Sequence, residues 1–418
     1  MPASHPRGML RCPALLCALA MALLFPIAGC GKATPTPQPV SISFAHPQED
    51  TDAYRQLLQV FNERYPYITV ELRSEEYDMF SGLRRGEQAD VLVNSQFAMG
   101  WLYEQKHILN LTPLIEQDPS FKTSDFYPGT IGLFTRNGKT WAIPAGVDTM
   151  VMYYNQDLFD RRGVPYPRTG WTWSDFLDAA LAIRDPEAKV FGYAAPGSGL
   201  DALTFIYQHG GRILDSLVSP TRSTFDDPLT IEALDWYAKL FFGYNVAPTE
   251  EQLAEAFRQG DVRAGIQDNQ IGMWAGMLSE RGGKPEGTPW TMRWGVVPLP
   301  RDREPAALTL IDGYYISART QYPDACWKWI SFLSQQMPGR QIPARKSLVE
   351  STEYKQKVGD DVAAATKASM EKALLLSPML AQFEEVFTSF NTAFQAIMAQ
   401  QSTPEEAMTT AQQESKLK

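Results

Sequence analysis

Few residues in this 418-residue chain have the type and spacing that chemistry needs. Beyond the first thirty positions the only histidines are His46, His107 and His209, and the only cysteine is Cys326. No two histidines stand four apart, and a zinc site needs three or four clustered ligands, so no metal is expected. Ser369-Met370-Glu371-Lys372 has the SxxK spacing of a serine nucleophile, but neither an SDN nor a KTG follows it. Lys139-Thr140 is followed by Trp141 and precedes that serine, and no GxSxG occurs. Gly197-Ser198-Gly199-Leu200-Asp201-Ala202 loosely matches a dinucleotide fingerprint. It does not close the first strand of a mononucleotide unit, and it reads equally well as a loop. Paired acids stand at Asp226-Asp227, Glu250-Glu251, Glu384-Glu385 and Glu405-Glu406. A glycosidase needs two carboxylates facing each other across a cleft, not side by side. Adjacent acids more often begin helices, as Asp226-Asp227-Pro228-Leu229-Thr230 reads. No catalytic set and no cofactor is expected.

Composition narrows the class further. With 44% hydrophobic and 21% charged residues the chain has an ordinary globular make-up, which excludes bulk disorder. Its 38 basic and 48 acidic residues leave a net charge of −10, without the basic footprint that nucleic acid requires. The length suggests two or three domains or one large bilobed body. Ten tryptophans make the chain somewhat rich in large aromatic faces.

The elements that must position any site follow from periodicity. Val40-Ser41-Ile42-Ser43-Phe44 alternates like a strand, and Tyr54, Leu57, Leu58, Phe61 and Tyr65 then form one helical stripe that Pro66 ends. Ile68-Thr69-Val70-Glu71-Leu72 alternates again, so the three pieces make a βαβ unit and a parallel sheet. Asp90-Val91-Leu92-Val93 adds a strand that ends at Asn94-Ser95-Gln96. Ligands of parallel α/β sheets bind beyond the carboxyl ends of the strands, which puts residues 45–49 and 94–96 on the rim of a site. Further strands are read at 191–193, 271–274 and 294–297, with helices over 231–242 and 253–257 and a mostly helical stretch over 362–417.

The amino terminus reads as a targeting segment. Arg7 and Arg11 precede an apolar run from Ala14 to Ile27, which is short for a membrane span of ~20 residues. The run ends in Ile27-Ala28-Gly29-Cys30, which resembles the lipobox of bacterial lipoproteins. Residues 1–29 are therefore expected to be a signal peptide, and Cys30 a diacylated new amino terminus. Residues 30–39, rich in Pro and small residues, are expected to be an extended tether. Cys326 would then have no disulfide partner and is expected to be a buried small hydrophobe.

Several ordered segments resemble the family 1 extracellular solute-binding proteins of ABC importers, the group typified by maltose-binding protein. Trp141-Ala142-Ile143-Pro144 and Met152-Tyr153-Tyr154-Asn155-Gln156-Asp157-Leu158-Phe159 are similar to a Y-x-I-P … L-Y-Y-N-K-D-L-F stretch. Gly163-Val164-Pro165, Pro167 and Thr172-Trp173-Ser174-Asp175-Phe176 resemble G-L-P-x-P-x-T-W-x-E-F. Phe257-Arg258-Gln259-Gly260 and Met273-Trp274-Ala275-Gly276 resemble F-x-x-G … M-x-x-x-G, and 294–300 resembles W-G-V-A-P-L-P. Asp312-Gly313-Tyr314-Tyr315-Ile316-Ser317 resembles G-G-x-x-x-x-I-S, with Asp312 in place of the first glycine. Residues 327–333 and Pro404-Glu405-Glu406-Ala407 complete a match over nearly the whole chain after the leader.

The resemblance implies an α/β, two-lobed periplasmic-binding-protein fold of class II type, each lobe a mainly parallel sheet flanked by helices, with a hinge between. The lobes are expected at about 40–147 plus 312–350 and 148–311 plus 351–418. It implies a monomeric extracytoplasmic receptor, not an enzyme, that closes over a mono- or oligosaccharide and hands it to ABC permease subunits. The ligand-binding residues it nominates are Gln48, Glu49, Asn94, Ser95, Gln96, Asp148, Trp274, Asp312, Tyr314 and Arg345, with Trp274 as the stacking platform. Trp171 and Trp173 are read as structural. The alternatives are a receptor for a polyamine, a phosphorylated polyol or a peptide, a surface-anchored glycoside hydrolase, and a structural or sensory lipoprotein on the same scaffold.

Overall fold

The first βαβ unit forms as the periodicity requires. Strand β1 (Val40–Pro47) runs parallel to β2 (Ile68–Glu75), in register from Val40 opposite Ile68 to Pro47 opposite Glu75. The helix between them, Thr51–Arg64, buries Tyr54 and Phe61 against the sheet. Phe44 and Phe61 both pack on the fully buried Trp329 of the helix Pro323–Leu333, at 5.6 and 4.8 Å between rings. A small hairpin, β3 (Tyr77–Asp78) with β4 (Gly82–Leu83), leads to β5 (Val91–Ser95), which joins β1 in parallel. A second hairpin, β6 (Thr135–Arg136) and β7 (Lys139–Thr140), precedes the longest strand of the chain.

That strand, β8 (Ile143–Asn155), is buried at all thirteen of its residues. Its partners are β9 (Phe191–Ala194) by way of β10 (Ile271–Met277), then β11 (Trp294–Val297), β12 (Ala307–Ile316), β13 (Ile342–Pro343) and, through β12, β14 (Ala373–Leu375). Residues 143–149 of β8 lie antiparallel to β12, whose other edge meets β5; residues 150–154 lie antiparallel to β10. The strand order β2-β1-β5-β12-β8-β10-β9 therefore passes from one set of strands to the other through β8 and β12. Parallel pairs (β1–β2, β1–β5, β9–β10) lie at the outer parts, and the middle is antiparallel except where β14 joins β12 in parallel. The register of β8 and β12 slips between Asp312 and Gly313, an irregularity of the kind that re-aims a side chain.

The computed structural model describes residues 38–415 apart from 79–81, 84–87, 196–198, 218–219, 258–259, 284–287, 338 and 377–383. The expected signal peptide, Cys30 and most of the tether lie outside the described residues, as do Arg258-Gln259 and Gly197-Ser198. Residues 39–418 form one compact unit. Among the described residues no helix is long and apolar enough to cross a membrane.

The second hydrophobic cluster gathers around the helices Trp173–Ile183, Leu200–His209 and Pro228–Phe242. Trp173 and Trp171 are structural, as expected. Thr172 and Asp175 form a capping box that starts the first of these helices, and Trp173 stacks on Trp236 with ring centres 4.1 Å apart. The Trp171 indole N–H donates to the Pro298 carbonyl at 2.8 Å. Asp227 caps the helix Pro228–Phe242, as the acid pair before Pro228 predicts. Cys326 is fully buried, and burial pushes its thiol up to about 12, so it packs as an inert small hydrophobe.

Candidate functional site

The carboxyl ends of β1 and β5 open onto a cavity of about 720 Å³, within the range of roughly 300–1,000 Å³ usual for small-ligand sites. Beyond β1 a single 3-10 turn, Gln48–Asp50, carries three successive polar side chains into it before the helix begins. Ser95 contributes from the end of β5, Asp148 and Asp312 from the two central strands, and Glu76 and Tyr77 from the hairpin beside β2. Met277, Ser279 and Glu280 enter from the end of β10, and Gly339, Arg340 and Gln341 from the segment before β13.

Three of the carboxyl groups sit where water is scarce. Asp312 is 6% exposed and both of its oxygens are engaged: the Tyr77 hydroxyl donates to Oδ1 at 2.5 Å and the Gln341 amide to Oδ2 at 2.7 Å. Burial raises its pKa against these two bonds, and Glu49 adds to the rise. Asp148 is 9% exposed and accepts from the Ser279 backbone N–H at 3.0 Å, and burial pushes it up to about 7. Asp50 is also pushed up to about 7, by burial first and then by Glu49 and Asp312. Its carboxylate rests against Gly339, which has φ +60; a Cβ there would stand 2.3 Å from Asp50 Oδ1, so this position requires glycine.

The one guanidinium that lines the cavity among the described residues is already committed. Arg340 donates from Nε to the Ser279 carbonyl at 2.6 Å and from Nη2 to the carbonyls of Gly283 (3.0 Å) and Arg281. Arg281 returns the contact from Nη1 to the Arg340 and Leu278 carbonyls at 2.5 and 3.1 Å. The two arginines thus clasp residues 278–283 to the segment 339–341. Burial, then the neighbouring Arg281, lowers the Arg340 pKa. Among the described residues no three His, Cys, Asp or Glu side chains are grouped to hold a metal ion.

Of the residues nominated from sequence, Gln48, Glu49, Ser95, Asp148 and Asp312 line this cavity together. The other five lie outside its lining. Asn94 is fully buried, and its Oδ1 accepts from the Leu83 and Ser95 backbone N–H groups at 3.0 and 2.9 Å, tying the hairpin to β5. Gln96 is spent between the Leu376 carbonyl and the Ile311 N–H, at 2.6 and 2.7 Å. Trp274 is 4% exposed and packs at 5.8 Å on Tyr153 and at 5.0 Å on Trp290, so its faces belong to the core. Tyr314 is fully buried near Phe44, on the core side of β12. Arg345 is 5% exposed and donates to Ser334, Lys122 and Asp125 while its guanidinium lies over the Phe126 and Phe121 rings at 4.3 and 4.8 Å.

The residues that the sequence reading missed are Asp50, Glu76, Tyr77, Ser279, Glu280, Arg340 and Gln341. Asp50 had a signal, since it follows Glu49 on the same rim. The others lie on short connecting stretches without periodicity, and only the folded chain brings them to the cavity.

The sequence pattern of the bacterial extracellular solute-binding proteins matches residues 46–336. The chain belongs to this family. An arabinooligosaccharide-binding protein of Bacillus subtilis is 26% identical over 175 residues, 39% of each chain, so the match spans about two fifths of that relative. A probable ABC transporter-binding protein of Deinococcus radiodurans is 24% identical over 73% of this chain and 74% of its own. An ABC substrate-binding protein of Listeria monocytogenes, solved with cycloalternan, superposes with a TM-score of 0.72 at 20% identity, over 90% of this chain and 98% of its own. The fold is thus the two-lobed α/β arrangement of these solute-binding proteins. Strands β8 and β12 stand between the two sets of strands in the sheet order.

Proposed function

We propose that this protein is the extracytoplasmic receptor of an ABC importer, and that it binds a carbohydrate in the cavity between its lobes. The observation that carries this reading is where the cavity lies. Its walls come from the ends of β1 and β5 on one side and of β10 on the other, and the strands shared by both sides, β8 and β12, supply Asp148 and Asp312 to its floor. Rotation of one lobe against the other about these strands would close the walls over a bound solute, and the solute would stabilise the closed state because only there does it meet both walls.

The lining suits a polyhydroxylated ligand. Carboxylates accept, Gln48, Gln341, Ser95, Ser279 and Tyr77 can donate or accept, and Met277, Leu310, Ala53 and Pro47 offer apolar surface to C–H faces. A solute that leaves these enclosed groups unpaired loses ~1–3 kcal/mol for each, which is the source of selectivity. The ligand-binding set in this reading is Gln48, Glu49, Asp50, Ser95, Asp148, Asp312, Tyr77 and Gln341. Anchoring through acylated Cys30 and delivery to permease subunits belong to the same proposal. A phosphorylated polyol fits less well, because its charge would face six carboxyl groups and a single guanidinium. Calorimetric titration of the full-length chain with mono- and oligosaccharides, followed by chromatography of the recovered ligand, tests the reading. Saturable binding with the sugar returned intact is expected. Cleavage of the sugar would assign the raised carboxyls to a glycosidase instead.

A further inference from the structure

The cavity carries more carboxyl groups than pairing with hydroxyl groups requires. Six carboxylates line it, Glu49, Asp50, Glu76, Asp148, Glu280 and Asp312, against the single guanidinium of Arg340. That guanidinium donates from Nε and Nη2 to three backbone carbonyls. The carboxyl groups are close enough to act on one another: Glu49 and Asp312 both raise Asp50, while at Asp148 the effect of Glu280 is opposed by Arg281. A neutral polyol bonds carboxylates but leaves this mutual repulsion in place. A cation relieves it, because an opposite charge within a few ångströms favours the ionised form of every neighbouring carboxyl.

We infer that the solute is a carbohydrate carrying a protonated amine, an amino sugar or a short chain of them, rather than a neutral saccharide. The inference rests on the carbohydrate-receptor reading above and narrows it. An ammonium group has three donors and no acceptor, which matches an acceptor-rich wall. The neutral donors and the apolar surface of Met277 and Leu310 exceed what a bare polyamine would use, and they suit the rest of a sugar ring. Asp50, whose carboxyl stands beside Gly339 with Glu49 and Asp312 as neighbouring charges, is the natural counter-ion.

The test is calorimetric titration of the full-length chain with sugars matched in linkage and size: glucosamine, N-acetylglucosamine and glucose, then the β-1,4 disaccharide of glucosamine, N,N′-diacetylchitobiose and cellobiose. Spermidine is the sugar-free cation. The expected result is binding of an amino form at least tenfold tighter than its acetylated and hydroxyl counterparts, and a drop of that ratio towards one in Asp50→Asn. Circular dichroism of the variant confirms that it is folded. Equal or tighter binding of the neutral forms would overturn the inference and leave the carbohydrate receptor standing. Binding of spermidine alone, or of no compound in the series, would overturn both.

Discussion

At the scale of single residues, the cavity holds acids that are costly to ionise. Asp148 has a pKa of about 7 in the folded chain against an ordinary 3.8, so between those values the folded chain keeps a proton that the unfolded chain has released. Its contribution to stability is present below the ordinary value and is lost as pH rises through about 7. The groups that face it are Ser279, Glu280 and Arg281, with Arg340 and Tyr153 beside them. The ligand-free chain is therefore expected to melt lower at about pH 8 than at about pH 5. Asp148→Asn is expected to flatten that dependence and to gain ~1 kcal/mol or more at the higher pH, since one pKa unit is worth ~1.4 kcal/mol. Melting curves across pH for both proteins check this, and an unchanged slope in the variant would contradict it. Arg345 shows the opposite use of charge. Its guanidinium is buried on two phenylalanine rings and bonded to Asp125, so Arg345→Ala is expected to cost ~3 kcal/mol by stranding its partners, with ligand affinity unaltered. Chemical denaturation gives the first quantity and titration calorimetry the second.

At the scale of elements, the rim is built by short pieces braced against long strands. The hairpin β3–β4 presents Tyr77 to Asp312, and Asn94 holds that hairpin through the Leu83 N–H. Gly82 makes this possible: at φ +70, a Cβ would stand 1.8 Å from Asn94 Oδ1. Gly82→Ala is expected to cost ~1–3 kcal/mol in stability and to weaken ligand binding by displacing Tyr77. Denaturation and titration of the variant, compared with Tyr77→Phe, check whether the two changes act on one contact. The elements were largely legible in the sequence where they are amphipathic. The βαβ unit over 40–72, the strand running to Asn94 and the helix entered at Asp227-Pro228 formed where periodicity and the acid pair placed them. The rim was legible only in part. Ends of strands pointed to Gln48, Glu49 and Ser95, but a residue next to a rim residue can face the other way, as Asn94 and Gln96 do beside Ser95, and the register slip after Asp312 separates it from Tyr314 two positions on. A buried tryptophan and a buried arginine carry no mark in sequence that separates core from cleft, and Trp274 and Arg345 are buried away from the cavity lining. Strands β8 and β12 are buried throughout and show no period of two, so only the family resemblance pointed to crossing segments there.

At the scale of the whole molecule, two crossing strands join two sets of sheet and helix, and the cavity lies over the crossing. The Arg281–Arg340 clasp fastens residues 278–283 to 339–341 through four hydrogen bonds to backbone carbonyls. Arg340→Ala is expected to lower stability by ~1–3 kcal/mol, because those carbonyls lose their donors. It is also expected to weaken solute binding, and paired melting and titration experiments separate the two effects. Closure over a solute is the central claim, and thermal unfolding of the full-length chain against a panel of neutral sugars, amino sugars, polyols and polyamines tests it most directly. A ligand at a hundred times its Kd stabilises by ~2.7 kcal/mol, a shift of a few degrees in Tm. The expected result is such a shift with one saccharide class, lost in Asp312→Ala. A panel in which no saccharide moves the Tm, or one that moves it equally in Asp312→Ala, would contradict the claim.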